Sequence, residues 1–265
     1  MKTKSRKKTQ YYTLRRGLKD GLPIGLGYLS VSFGFGIAVV AQGFSPLFAL
    51  LISMTNETSA GQLAGLEIMA RYGGFLEMAL CQLVINMRYA LMGISLSQHV
   101  DESFTTPWRM LLSFSITDEI YAVASTKSHK VGTKYFSGLA IPPYVGWALG
   151  TILGAVAGQL LPPVVTSSLG VMLYGMFIAI VVPPARDNRG VLFASLAAVL
   201  LSCVLYYVPL FDFITNGFAV IICAVSVSAL AAWLFPVRDD DENEVGSEVG
   251  GQDTDSQNDT GEVAS

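Results

Sequence analysis

The chain has 265 residues, 52% hydrophobic and 14% charged, with a net charge of −3 and a mean hydropathy of +0.50; soluble domains carry about 25% charged residues. Eight of the 17 Lys and Arg lie in residues 1–20, and ten of the 20 Asp and Glu follow Arg238. Eighteen charges are left for the more than two hundred residues between, too few to cover a soluble globule. That excludes a water-soluble fold and predicts an all-α, polytopic membrane helix bundle.

A bilayer core about 30 Å thick needs roughly 20 apolar residues per helical crossing. The basic head "MKTKSRKKTQYYTLRRGLK" is expected to stay cytoplasmic as a separate segment over 1–20. The Gly-rich run over 22–42 is too long for a signal peptide and reads as the first crossing. The next span, 46–70, is interrupted by "SMTNETSAGQ" at 53–62, which predicts a broken or re-entrant segment. Further spans are expected at 75–97, 108–126, 136–161, 167–184, 190–208 and 214–235. They complete a transmembrane domain over 21–237, and the acidic, Gly-rich tail 238–265 is expected to be disordered.

Loop charges give an orientation. "KSHKVGTK" (127–134) and "ARDNRG" (185–190) carry Lys or Arg and are placed inside, with Arg71 and Arg238. "HVDESFTTP" (99–107), "PPVVTS" (162–167) and "PLFD" (209–212) carry none and are placed outside. Eight crossings with both termini cytoplasmic satisfy these loops, or seven if 46–70 is re-entrant.

Cys81, Cys203 and Cys223 sit in apolar runs without CxxC spacing and read as packing residues. His99 and His129 lack metal-ligand neighbours, so neither metal nor cofactor is expected. The net charge averages a basic head and an acidic tail; the surroundings are a lipid bilayer, and no nucleic acid is expected as a partner. Gly34, Ala38, Gln42 and Pro46 share their spacing with Gly150, Gly154, Gly158 and Pro162. Two close-packing stripes explain this more simply than an internal repeat.

The informative residues are the charges left at membrane depth, where each costs at least about 2.5–3.5 kcal/mol and therefore faces a cavity or a partner. Arg88 and Asp118 lie about fifteen residues to either side of the loop centred near 102–103, which predicts equal depth near the midplane. An ion pair or shared polar site of Arg88 with Asp118 or Glu119 follows. Glu77 is expected near the cytoplasmic end of its span, and Glu67 and Arg71 can pair at i and i+4. Asn56, Glu57, Thr58, Ser59 and Gln62 supply further polarity, and irregular backbone at that depth must line a cavity or be buried in protein. Broken helices that aim their ends at a polar solute recur in secondary transporters. The candidate pathway residues are Asn56, Gln62, Asn86, Arg88, Asp118 and Glu119.

Together with "GLPIGLGYLSVSFGFG", "TSAGQLAGLE", "INMRYALMGISLSQ", "TDEIYAVA" and "WALGTILGAVAGQLLP", in that order over roughly residues 15–235, these residues resemble the AzlC family. The resemblance implies the large subunit of a branched-chain amino acid exporter of the cytoplasmic membrane, carrying leucine, isoleucine, valine and sometimes methionine. It also implies a small membrane partner of the AzlD type. Gln62, Asn86, Arg88, Asp118 and Glu119 match positions where the family keeps these residue types. Many members read "YAGASQF" where this chain has "TSAGQLA", and have His where it has Tyr89. Proton coupling through Asp118 or Glu119 is the expected energy source. The alternative is a permease subunit driven by a separate ATPase, or an exporter of another small solute. The chain itself has no phosphate-binding G-x-x-x-x-G-K-[ST] motif and no H-E-x-x-H or G-x-S-x-G of an intramembrane enzyme.

Overall fold

In the computed structural model the described residues are 12–162, 164–165, 175, 178 and 181–236, so most of the basic head, most of the expected span 167–184 and the acidic tail lie outside them. Among these residues the chain is helical, with no strand beyond one isolated bridge between Val100 and Val131. The helices are α1 (Leu14–Ala41), α2 (Pro46–Thr55), α3 (Ser59–Ala70), α4 (Phe75–His99), α5 (Thr106–Ser113), α6 (Asp118–Ser125), α7 (Thr133–Leu160), α8 (Arg189–Tyr207) and α9 (Asn216–Leu234). Five of them, α1, α4, α7, α8 and α9, are long and apolar enough to cross a membrane. We call the face where α1 begins proximal and the face where it ends distal.

The spine is the parallel pair α1 and α7. Glycines remove the side chains between them, so backbone meets backbone along the full length. A Cβ on Gly17 would lie 2.1 Å from Tyr135 O, one on Gly36 2.1 Å from Thr151 O, and one on Gly154 1.9 Å from Phe33 O. Gly150, Gly154 and Gly158 all face α1, as their spacing suggests; the answering stripe is Gly17, Gly21, Gly25 and Gly36, while Ala38 packs beside Phe35, Ala49 and Leu66. Close approach of this kind substitutes van der Waals contact for a hydrophobic drive that lipid does not supply.

The expected break in 46–70 is present. α2 starts at the distal end, with Ser45 capping Phe48 N and Pro46 in its first turn, and stops at Asn56. Its Met54 carbonyl accepts from Tyr144, in the middle of α7. α3 begins at mid-depth, capped by Thr58, and returns to the distal side, where Leu66 packs with Val39 and Ala155. The helices have 10 and 12 residues, about 15 and 18 Å at 1.5 Å per residue, half a bilayer each. They form a re-entrant hairpin.

The span expected at 108–126 is likewise not a single helix but two of 8 residues each, and this is a correction. α5 enters from the proximal side, where Phe104 packs against Phe136, and reaches mid-depth with Phe114 against Tyr144. α6 starts there with Thr117 beside Tyr28 and returns to the proximal side, where Lys127 meets Asp20. Ser113, Ser115 and Thr117 interrupt the apolar run, and Thr117 with two acids in the next turn is a helix start.

Two re-entrant hairpins reverse α4 relative to the expectation of eight full crossings. α4 begins distally and ends proximally, where Val131 N donates to His99 O at 2.9 Å and Asp101 N to Val131 O at 3.0 Å. The loop with Arg71 is thus distal, and 99–105 shares the proximal face with 127–133. Glu77 sits at the distal end, not on the side of the α1 start where it was expected, and accepts from Gly217 N at 3.0 Å and from Thr215, closing the N-terminus of α9. Glu67 accepts from Asn216 at 3.4 Å, and the ion pairs among the described residues are Arg88–Asp118 and Lys127–Asp20. α8 and α9 form an antiparallel arm, with Phe193 against Phe235 at its proximal end.

Candidate functional site

The tips of the two hairpins meet at mid-membrane, one from each face. Thr58 accepts from Gly61 N and Thr117 from Ile120 N, so each returning half-helix opens with a threonine cap. A cavity of about 850 Å³ lies between these tips. Glu57, Ser59 and Ala60 border it from one hairpin and Thr117, Asp118 and Glu119 from the other. α4 contributes Val84, Ile85, Arg88 and Tyr89, and α1 contributes Pro23, Ile24, Gly27, Tyr28 and Val31. Trp147, Val181 and Ala224 are the other described residues that border it.

Its charged groups are individually arranged. Arg88 Nη2 lies 3.0 Å from Asp118 Oδ2, and the same nitrogen donates to Tyr89 Oη at 3.0 Å with the guanidinium 4.9 Å from that ring's centre. Tyr89 Oη is 3.4 Å from Thr58 Oγ1, which links the pair to the other hairpin's cap. Tyr28 donates to the Glu119 carboxylate and sits 2.7 Å from Thr117 Oγ1, and its ring packs edge-on against Trp147. Glu57 is buried, and neither of its carboxylate oxygens has a hydrogen-bond partner among the described residues.

The six residues picked from the sequence separate into two groups. Arg88, Asp118 and Glu119 border the cavity. Gln62, Asn56 and Asn86 build the scaffold behind it. Gln62 is 1% exposed; its amide donates to the Asn56 carbonyl and reaches Ser53 Oγ at 3.4 Å, and its oxygen accepts from Trp147 Nε1 at 3.3 Å. It therefore ties the end of α2 to α3 and α7, and Asn56 takes part through its backbone. Asn86 donates to Gln82 Oε1 at 3.1 Å, and Gln82 donates to Gly61 O at 2.7 Å, which fixes α3 on α4. Asn86 Oδ1 is buried without a partner among the described residues.

Glu57, Tyr28, Tyr89 and Trp147 were not among those six. Glu57 had a signal, a carboxylate beside a helix break. The aromatic residues had none, since a Tyr or Trp in an apolar span reads first as packing.

The AzlC protein family model matches residues 23–161, which contain both hairpins. The inner membrane protein YgaZ of Escherichia coli (strain K12) is 28% identical over 205 residues, covering 74% of this chain and 84% of that protein. An uncharacterized membrane protein of Archaeoglobus fulgidus is 26% identical over 177 residues, 66% of this chain and 77% of that one. A third relative, from Helicobacter pylori (strain 26695), is 24% identical over 152 residues, 54% and 65% of the two chains. No solved structure matches. The matched segment carries most of the α1–α7 spine and the two hairpin tips, and this chain belongs to the AzlC family of membrane proteins.

Proposed function

We propose that this chain is a secondary exporter of branched-chain amino acids, proton-coupled through Asp118 or Glu119 and working with a small AzlD-type membrane subunit. The observation that supports this reading best is the convergence of two half-helix N-termini and paired charges on one mid-membrane cavity. A helix N-terminus favours a carboxylate. Its walls of Ile24, Val31, Val84, Ile85 and Ala224 suit an aliphatic side chain. Hairpins entering from opposite faces give each face its own closure: α5–α6 shuts the cavity from the proximal side and α2–α3 from the distal side. Alternating withdrawal of the two is the simplest export cycle.

Orientation follows from charge. Of the eleven Lys and Arg in the described residues, nine lie toward the proximal face, Arg88 at the middle and Arg71 at the distal face. The proximal face is therefore cytoplasmic, with both termini, in the cytoplasmic membrane.

The test is leucine efflux from cells loaded with a leucine-containing dipeptide, expressing this chain alone and with the small subunit. Faster efflux with both, abolished by a protonophore and surviving ATP depletion, is the expected result. Efflux that stops with ATP depletion alone would assign the chain to an ATPase-driven permease. Unchanged efflux with both proteins in the membrane would remove leucine as cargo. Neutralising the coupling carboxylate alters how efflux varies between about pH 6 and 8; identical profiles for parent, Asp118→Asn and Glu119→Gln would remove proton coupling through these groups.

A further inference from the structure

We propose that Glu57 is the seat of the transported solute's ammonium group. This rests on the reading of the mid-membrane cavity as the transport site, and extends it to a residue and a substrate class.

The argument starts from what is left over. Asp118 is matched by Arg88, and Glu119 accepts from Tyr28. Glu57 alone of the cavity's carboxylates is 7% exposed with both oxygens lacking a hydrogen-bond partner among the described residues. Burying a carboxyl group without partners is among the costlier things a fold does. A site whose occupant brings the missing donors removes that cost on loading, so the group selects what it binds. A primary ammonium presents three donors and a positive charge to the two acceptor oxygens of Glu57.

Placement adds the other half of an amino acid. Glu57 lies in the break just before Ser59 and Ala60, which border the same cavity at the start of α3. Within the helix Gly61 N is taken by Thr58 Oγ1 and Gln62 N by Thr58 O. The first-turn amides of Ser59 and Ala60 have no acceptor that the helix can offer. One chain segment thus presents an ammonium acceptor and carboxylate donors side by side, as a zwitterionic α-amino acid requires. The α-keto acid of the same side chain would leave Glu57 unmatched, so it is rejected although its shape fits. Hydrogen-bonding sites reject analogues that lack the matching group far more strongly than apolar pockets reject a change of size.

The test is leucine exchange in proteoliposomes containing the full chain with its small subunit. Parent protein should exchange leucine and not its α-keto acid. Glu57→Gln should lower leucine exchange at least about tenfold, as expected on losing a charge-assisted contact, and Glu57→Asp should keep part of it. If the Gln variant is not recovered folded, melting of the purified parent decides. Protection by leucine and by isoamylamine, but not by the α-keto acid, supports the seat. Equal protection by leucine and the keto acid overturns it, as does a folded Glu57→Gln variant that exchanges leucine within about twofold of parent. Parent protein that exchanges no amino acid at all sinks the exporter reading, and the ammonium seat with it.

Discussion

Arg88 Nη2 and Asp118 Oδ2 stand 3.0 Å apart, joining the middle of α4 to the first residue of α6. The contact makes the tip of the proximal hairpin part of the cavity wall. The side chains are 47% and 41% exposed, because the cavity reaches them. Removing one partner therefore costs less than the about 3–5 kcal/mol seen in fully closed pairs. Asp118→Asn should lower both the melting temperature in detergent and transport. The double variant Arg88→Gln with Asp118→Asn should regain the melting temperature while remaining inactive. Recovery of transport in the double variant would show that the pair is only structural.

Gln62 and Asn56 both looked like pathway residues, yet the geometry gives them different duties. Gln62→Leu leaves the Asn56 carbonyl and the Trp147 indole N–H without their buried partner, at about 1–3 kcal/mol for each. Asn56→Ala keeps the carbonyl that Gln62 uses. We expect the first variant to melt several degrees lower than parent and the second to melt close to it. Thermal melting of the two variants in one detergent is the measurement, and equal losses would remove the clamp assigned to Gln62.

The spine and the cavity respond differently to one added methyl group. At Gly154 a Cβ would lie 1.9 Å from the Phe33 carbonyl, so the backbones of α1 and α7 must part. Gly154→Ala should cost about 1–3 kcal/mol or more and reduce the amount of folded protein. At Gly27, which borders the cavity, a Cβ meets nothing within 4 Å. Gly27→Ala should fold normally and shift transport toward smaller solutes, valine before leucine. Normal folding of Gly154→Ala would show that the spine yields more readily than its contacts imply.

Much of this arrangement was legible in the sequence. Apolar run lengths placed α4, α7, α8 and α9 to within a few residues and the end of α1 likewise, although α1 begins eight residues earlier, within the basic head, and "TNETS" marked the distal break. Arg88 and Asp118 were expected at one depth for a reason that was only partly right. The count of residues from the loop centre assumed a continuous helix after the loop. α5 rises only to mid-depth before it breaks, and that still lifts Asp118 to the level of Arg88. The break at 114–117 left only a short trace, Ser113, Ser115 and Thr117 ahead of two acids, and the apolar residues on either side of it add up to one span-length run; apolar content measures burial, not continuity. The rest was hidden for a related reason. Which groups pair across the cavity depends on helix rotation, and neither Glu57's lack of partners nor Tyr28's contact with Glu119 has a signature in one strand of text.

Charge alone favoured eight crossings, with Arg71 inside and residues 99–107 outside. Relative to the start of α1, the packing reverses both placements, while 127–134, 185–190 and 209–212 keep the sides expected of them. α4 is apolar on either reading, so hydropathy cannot decide its direction; the neighbours at its ends do. Val100 bridges to Val131 and Thr133 N donates to Ser103 Oγ at 2.9 Å, which binds the end of α4 to the start of α7. The start of α7 lies beside the start of α1, where the Tyr12 and Tyr135 rings pack at a tilt with their centres 5.1 Å apart. These contacts place residues 99–105 on the side of the basic head. Single cysteines at Tyr72 and Thr105, in a background with Cys81, Cys203 and Cys223 replaced, test this in intact cells with an impermeant maleimide. Tyr72→Cys should label from outside and Thr105→Cys only after the membrane is permeabilised. The opposite pattern, with the start of α1 still cytoplasmic, would restore two full crossings at 46–70 and 108–126 and dissolve the pair of hairpins on which the central cavity depends.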